Sequence, residues 1–188
     1  MGRSPRLQIP GGFHHVTTRG NRKQRIYVDA RDALEFERLL ARVVRSLTWR
    51  VHSYCWMPTH YHLLVETPEP NLSAGMQRLN GVYAKSFNYA HGFAGHLFER
   101  RFRCVVVDNE PQLHETARYV ALNPVRAGLC REPVDWPWSS YAAMIGRAAA
   151  PDFLTCNWLL SQFGPDRERA RARFAEFVEV ALDAERAA

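Results

Sequence analysis

Trp49-Arg-Val-His-Ser-Tyr-Cys-Trp56 and His60-Tyr-His-Leu-Leu-Val-Glu-Thr67 are two runs of β-branched and aromatic residues parted by Met57-Pro58-Thr59. Such runs favour extended chain, and Pro58 cannot donate to a central ladder, so the pair reads as the two strands of a hairpin. Upstream, Gly12 to Arg19 (GFHHVTTR) reads as an earlier strand of the same kind. Between them, Asp32 with Glu35 three residues on has the form of a capping box. Leu39, Leu40, Val43, Val44 and Leu47 follow at helical spacing, which predicts a helix ending near Thr48. Downstream of the hairpin, Asn71 is a candidate N-cap, and Leu72, Met76, Leu79, Tyr83, Phe87 and Ala90 form one helical stripe before Gly92. Residues 103–107 read as a fourth strand. Asn109 or Glu110 then caps a helix with Pro111 in its first turn; it is predicted to end near Asn123, because Pro124 removes an interior hydrogen bond.

The resulting order β-α-β-β-α-β predicts an α+β fold, a ferredoxin-like antiparallel sheet with helices on one face. An extra helix follows the fourth strand. Asp135-Trp-Pro-Trp-Ser-Ser-Tyr141 reads as a loop anchored by tryptophans. Residues 157–163 and 166–186 form a helical C-terminal extension with Phe174, Phe177, Val178, Ala181 and Leu182 on one stripe. The expected division is a catalytic domain over 1–147 and the extension over 148–188, for which the sequence suggests no role.

The chain has 188 residues, 46% of them hydrophobic, which excludes a disordered chain and suffices for one core. No apolar run approaches the roughly 20 residues of a bilayer span, and the N-terminus lacks the apolar segment of a secretory signal. Four scattered cysteines fit a reducing cytoplasm. The net charge of +6 is unevenly placed: residues 166–188 carry five Arg and six acids. The remaining excess gathers in two knots, Arg19, Arg22, Lys23 and Arg25, then Arg100, Arg101 and Arg103, the second interleaved with Phe98 and Phe102. Clusters of this kind suit a polyanion, since each neutralised phosphate releases counterions, although a solvated basic surface would look the same.

His60 and His62 lie two apart within a strand, so both imidazoles point to one face and can close on one divalent ion, while Tyr61 points away. Tyr119 and Asn123 lie four apart on a helix and share a face. Brought over the sheet, that phenol and carboxamide would address the same ion. Taken singly, the two pairs also fit one buried and one surface histidine and an ordinary half-buried helix tyrosine.

Met57-Pro-Thr-His-Tyr-His-Leu-Leu-Val65, Arg118-Tyr-Val-Ala-Leu-Asn-Pro-Val-Arg-Ala-Gly-Leu129 and Trp136-Pro-Trp-Ser-Ser-Tyr141, in this order, resemble the single-tyrosine HUH transposases, and within them the REP-associated tyrosine transposase (RAYT) branch. The resemblance spans roughly Phe13 to Tyr141. It implies a ferredoxin-like nuclease that cuts single-stranded DNA beside hairpins or imperfect palindromes. By this resemblance His60 and His62 bind Mg²⁺ or Mn²⁺, Asn123 helps hold the metal, and Tyr119 attacks the scissile phosphate to form a 5′-phosphotyrosine. Two positions depart from the family's pattern: Thr59 stands where Asn is frequent, and Tyr61 where an aliphatic residue is usual. The arginines and lysine of the two knots are then phosphate contacts. The expected setting is the bacterial cytoplasm, at the nucleoid, with the protein a monomer or homodimer and no membrane partner. Two rivals remain from the residues themselves: a non-catalytic single-stranded nucleic-acid-binding module, and a phosphoesterase that uses water and leaves Tyr119 idle.

Overall fold

The computed structural model describes residues 9–187. Four strands, β1 (Gly12–Arg19), β2 (Arg50–Met57), β3 (His60–Thr67) and β4 (Arg103–Val107), form one antiparallel sheet in the order β2-β3-β1-β4. Helices α1 (Ala30–Leu47) and α2 (Leu72–His91) cross between strands, giving the ferredoxin-like order expected. They are followed by α3 (Glu110–Arg126), α4 (Tyr141–Met144), α5 (Cys156–Ser161) and α6 (Arg167–Ala187).

Strand alternation divides the core in two. On one face Val16, Tyr61, Leu63 and Val65 pack with Trp56, Phe36 and Leu40 beneath α1, and with Met76, Leu79 and Tyr83 of α2. The other face carries Leu64 and Val107, covered by Leu113, Ala117 and Ala121 of α3 together with Leu160 and Phe174 of the C-terminal helices. Helices therefore occupy both faces: α1 and α2 share one, while the additional α3 takes the other. The extension is part of this second core, with Phe174 and Val178 fully buried.

Local signals account for the boundaries, with two corrections. The capping box of α1 is Asp29 with Asp32, not Asp32 with Glu35: the Asp29 carboxylate accepts from the Arg31 N–H at 2.8 Å and Asp32 N–H at 3.3 Å. Extended backbone at Asp29 makes it the cap, which leaves Glu35 on the helix surface paired with Arg38 at 2.6 Å. The second correction concerns α3, which continues through Pro124 to Arg126 instead of stopping at Asn123. Pro124 lies in the last turn, where the Ala127 N–H reaches Asn123 O at 3.0 Å and Leu129 N–H reaches Pro124 O at 2.9 Å. Burial of Val120, Ala121, Leu122 and Pro124 offsets the single bond the proline omits.

Asn71 precedes α2 as expected, but its side chain does not cap; it accepts from Trp49 Nε1 at 2.6 Å and donates to Leu47 O at 3.3 Å. Gly75 lets that indole lie flat against α2, since a Cβ there would stand 2.2 Å from Trp49 Cζ2. The outer edge of β2 is closed rather than open. Trp56 N–H donates to Trp138 O at 2.8 Å, Ser140 N–H to Tyr54 O at 3.0 Å, and Thr155 N–H to Val51 O at 2.7 Å. Residues 138–140 and 154–155 thus satisfy a row of backbone groups that would otherwise template aggregation. Among the described residues no helix is long and apolar enough to cross a membrane.

Candidate active site

The face of the sheet under α3 is aliphatic at one end and polar at the other. Pairing of β1 with β3 sets Thr17 opposite His62 and Arg19 opposite His60. Alternation then turns His15, Thr17, Arg19, His60 and His62 to one side, while His14, Thr18 and Tyr61 turn to the other. The two imidazoles of the hairpin meet as predicted, their ring centroids 5.0 Å apart and the planes at 83°.

Helix α3 brings its own pair above them. Tyr119 stands edge-on to His62, centroids 5.3 Å apart at 83°, and the ring of His15 lies 5.8 Å away at 70°. It is 41% exposed, so its phenol is accessible to a large substrate. Asn123, one turn on, is buried with its carboxamide close enough to both imidazoles to favour their protonated forms. Since Pro124 does not break the helix, Tyr119 and Asn123 keep the common face that their spacing predicts. Tyr61 goes the other way: it is fully buried and donates to Asn80 Oδ1 at 2.6 Å.

Burial and nearby positive charge keep the rings unprotonated. Burial, then the neighbouring His15, His60 and Arg19, push the His62 pKa down to about 2. Burial also lowers His60, with Arg19 adding to it, and takes His15 down to about 4. Neutral imidazoles at physiological pH are what a divalent metal requires. His62 Nε2 is buried with no hydrogen-bond partner, although Asn123 is near. Such an orphaned nitrogen costs about 1–3 kcal/mol unless something binds it. The donor set of two imidazoles and a carboxamide oxygen therefore fits a small divalent ion with open positions for substrate and water.

Two residues of the site escape the sequence reading. His15 contacts His62, its Nε2 lying 2.9 Å from His62 Nδ1. A double histidine in the first strand was the available signal, because in this topology one of the two must face the hairpin pair. Arg126 places its guanidinium 5.4 Å from the centroid of the Tyr119 ring and is held there by Glu185 of α6 through Nε at 3.1 Å. With His15, Gln112, Thr116 and Tyr119, Arg126 lines an open trough of about 410 Å³.

The basic knots converge, far apart though they are in sequence. Asn21 N–H donates to Leu97 O at 2.7 Å and Glu99 N–H to Arg19 O at 3.1 Å, with a further bridge between Gly20 and Phe98. This sets the loop of Arg22 and Lys23 beside that of Arg100 and Arg101. Gly20 is required at the crossing, where a Cβ would meet Gln24 O at 2.2 Å. Arg100 and Arg101 border a groove of about 660 Å³ against α2, lined also by Gln77, Asn80, Phe98 and Phe102. Arg19, opposite His60, and Arg103, opposite Thr17, adjoin the imidazoles. Arg25 stands apart, near Trp136 and Trp138.

Comparison with known proteins gives the family and the fold. The chain is 23% identical over 150 residues to the REP-associated tyrosine transposase of Escherichia coli (strain K12), covering 78% of this chain and 86% of that one. Its fold matches the solved structure of a REP-associated tyrosine transposase bound to a REP hairpin, with a TM-score of 0.66 and 21% identity over 82% of this chain and 92% of that chain. Residues 11–123 match the profile of a family of DNA-processing enzymes described as "Transposase IS200 like". That stretch holds the sheet, the imidazole pair, Tyr119 and Asn123, and the chain belongs to the IS200-like transposase family.

Proposed function

We propose that this chain is a metal-dependent single-stranded DNA endonuclease and strand transferase that cuts beside hairpin or palindromic DNA through a covalent tyrosine intermediate. The observation that carries this reading is the convergence of an exposed Tyr119 with His60, His62 and Asn123, delivered by separate elements to one end of one face. A module that only bound single strands would have no use for a partnerless buried nitrogen beside an exposed phenol.

His60, His62 and Asn123 would hold Mg²⁺ or Mn²⁺, which when bound supplies Lewis-acid withdrawal of charge from a phosphate oxygen. Tyr119 attacks the scissile phosphorus in line, forming the Tyr–O–P bond as the bond to the 3′-oxygen breaks. The phenol loses its proton to solvent, and the departing oxygen is protonated to a 3′-OH. The guanidinium of Arg126, 5.4 Å from the centre of the Tyr119 ring, stands where it can meet the negative charge of the phosphate under attack. Because the 5′-phosphotyrosine retains the energy of the phosphodiester, a second 3′-OH reverses the step and joins strands without ATP. The joined knots form a path for the backbone, with Arg19, Arg22, Lys23, Arg100, Arg101 and Arg103 as phosphate contacts and Phe98 as a stacking surface. Arg25, on the same loop, extends it toward the tryptophans. A hairpin ligand is supported by the relative solved with a REP hairpin, and the bacterial cytoplasm, at the nucleoid, is where such DNA is met.

The test is incubation of end-labelled single-stranded hairpin DNA with Mg²⁺ and a denaturing gel. The expected result is a labelled adduct of slowed mobility that chelator prevents. Cleavage without an adduct would instead mean that water is the nucleophile. Binding without cleavage would reduce the protein to a nucleic-acid-binding module.

A further inference from the structure

We propose that His15 is a positioning residue that fixes the tautomer of His62, accepting its Nδ1 proton so that Nε2 keeps a free lone pair for a divalent cation. The inference rests on the metal-dependent reading above and assigns a role that the imidazole pair cannot supply itself.

The register of β1 against β3 is what makes the contact. Thr17 lies directly opposite His62, so His15 is its diagonal neighbour on the same face. Diagonal positions are about 7–8 Å apart, a gap that two imidazoles span. The ring planes are inclined by 25° with centroids 5.2 Å apart, and the rings meet through their nitrogens, His15 Nε2 lying 2.9 Å from His62 Nδ1.

A contact of that length between two neutral rings holds one proton. If His15 donated it, His62 would carry its own proton on the buried Nε2, beside the Asn123 carboxamide, and no lone pair would face the ion. With His62 donating, the proton is shared with His15 Nε2, and the buried Nε2 becomes a bare lone pair. Only this second arrangement can bind a cation. Thr17 Oγ1, 3.3 Å from the same Nδ1, offers that proton a further acceptor. His60 is treated alike by a different group, for Thr59 Oγ1 lies 3.2 Å from its Nδ1. Both rings are thus engaged at Nδ1, which leaves Nε2 of each for the shared ion. Groups that receive the second N–H of a metal-binding histidine typically account for about 10–100-fold in metal affinity.

Binding of Mn²⁺ to the DNA-free protein, followed by electron paramagnetic resonance, tests this without recourse to activity. His62→Ala should lose the ion. His15→Phe keeps an aromatic ring at that position but offers no acceptor and should weaken Mn²⁺ binding by about 10-fold or more. His15→Gln restores an acceptor and should recover most of that loss. If His15→Phe binds within about twofold of the parent while His62→Ala does not bind, the role of His15 is overturned and the metal site stands. If His62→Ala binds as the parent does, the metal-dependent reading falls and this inference with it. Imidazole ¹⁵N spectra of the unaltered protein with Mg²⁺ give an answer that no folding defect can cloud. They should show His62 protonated on Nδ1, and protonation on Nε2 would refute the proposal.

Discussion

The two faces of the sheet are made from the same strands, yet one is a solid aromatic core and the other is half core and half polar cluster. Under α1 and α2, Phe36 touches Trp56, Tyr61 and Tyr83 at centroid distances of 4.9, 4.8 and 5.0 Å, and every ring is buried. Under α3 the aliphatic packing stops short, and His15, His60 and His62 fill the remainder with Tyr119 over them. Tyr61 and His62 are neighbours in the chain and differ only in the side to which the pleat turns them. Tyr61 is locked to Asn80 and its ionisation is pushed far up by burial, whereas Tyr119 is open to solvent beside a guanidinium. What separates a packed phenol from one open to a substrate here is the face, not the residue type.

That contrast can be broken by exchanging each phenol for a phenyl ring. Tyr119→Phe should lower adduct formation on hairpin DNA by roughly 10³-fold or more, as removal of a nucleophile does, while DNA binding stays within about twofold. Tyr61→Phe should leave the adduct intact and cost about 1–3 kcal/mol in urea unfolding, because Asn80 Oδ1 loses its donor. An adduct formed at full rate by Tyr119→Phe, or abolished by a folded Tyr61→Phe, would invert the assignment.

The aliphatic end of the α3 face offers the next largest effect. Phe174 comes from the C-terminal extension but is fully buried beside Tyr141 and Phe163, with centroids 6.0 and 5.3 Å away. Phe174→Ala should therefore cost about 3–5 kcal/mol, as for any core phenylalanine. A loss below about 1 kcal/mol in urea unfolding would mean that residues 148–187 are a detachable appendage. The basic groove beside α2 answers to salt instead. Replacing both Arg100 and Arg101 with Ala should make the plot of log affinity against log salt shallower by about 1.4 for single-stranded DNA, at about 0.7 per phosphate contact. An unchanged slope would move the strand off the joined knots.

The order of strands, the hairpin and the shared direction of His60 and His62 were all legible in the sequence, because each follows from a period of two and a proline at the turn. Tyr119 and Asn123 were legible as a pair, because a spacing of four survives even with Pro124 next in line. Other features were not. The capping box moved from Asp32 to Asp29, since both positions offer a carboxylate followed by an acid three residues on, and only the backbone distinguishes them. The meeting of the two basic knots depends on backbone bonds from Asn21 to Leu97 and from Glu99 to Arg19, which no local pattern encodes. The extension showed a stripe without showing its partner: α6 completes the core under α3 and, through Glu185, holds Arg126 over the phenol.

The smallest expected effect uses His14 and His15, adjacent residues on opposite faces. Burial lowers the pKa of His14, whose Nε2 is buried without a hydrogen-bond partner on the α1 and α2 face. His14 is therefore neutral in the folded chain, while the unfolded chain takes up its proton below about pH 6.5. Its share of stability is complete above that pH and is lost as the pH falls from there toward its lowered folded value. The buried His52, also lowered by burial but partly restored by Glu66 at 3.1 Å, contributes in the same direction. Each proton taken up on unfolding steepens the loss by at most about 1.4 kcal/mol per pH unit. His14→Leu should remove one such proton, flattening stability between about pH 6.5 and 5 in urea titrations of the metal-free protein while leaving the alkaline side unchanged. An acid limb as steep as the parent's would mean that His14 is protonated inside the aromatic face, and that this face is more polar than its packing requires.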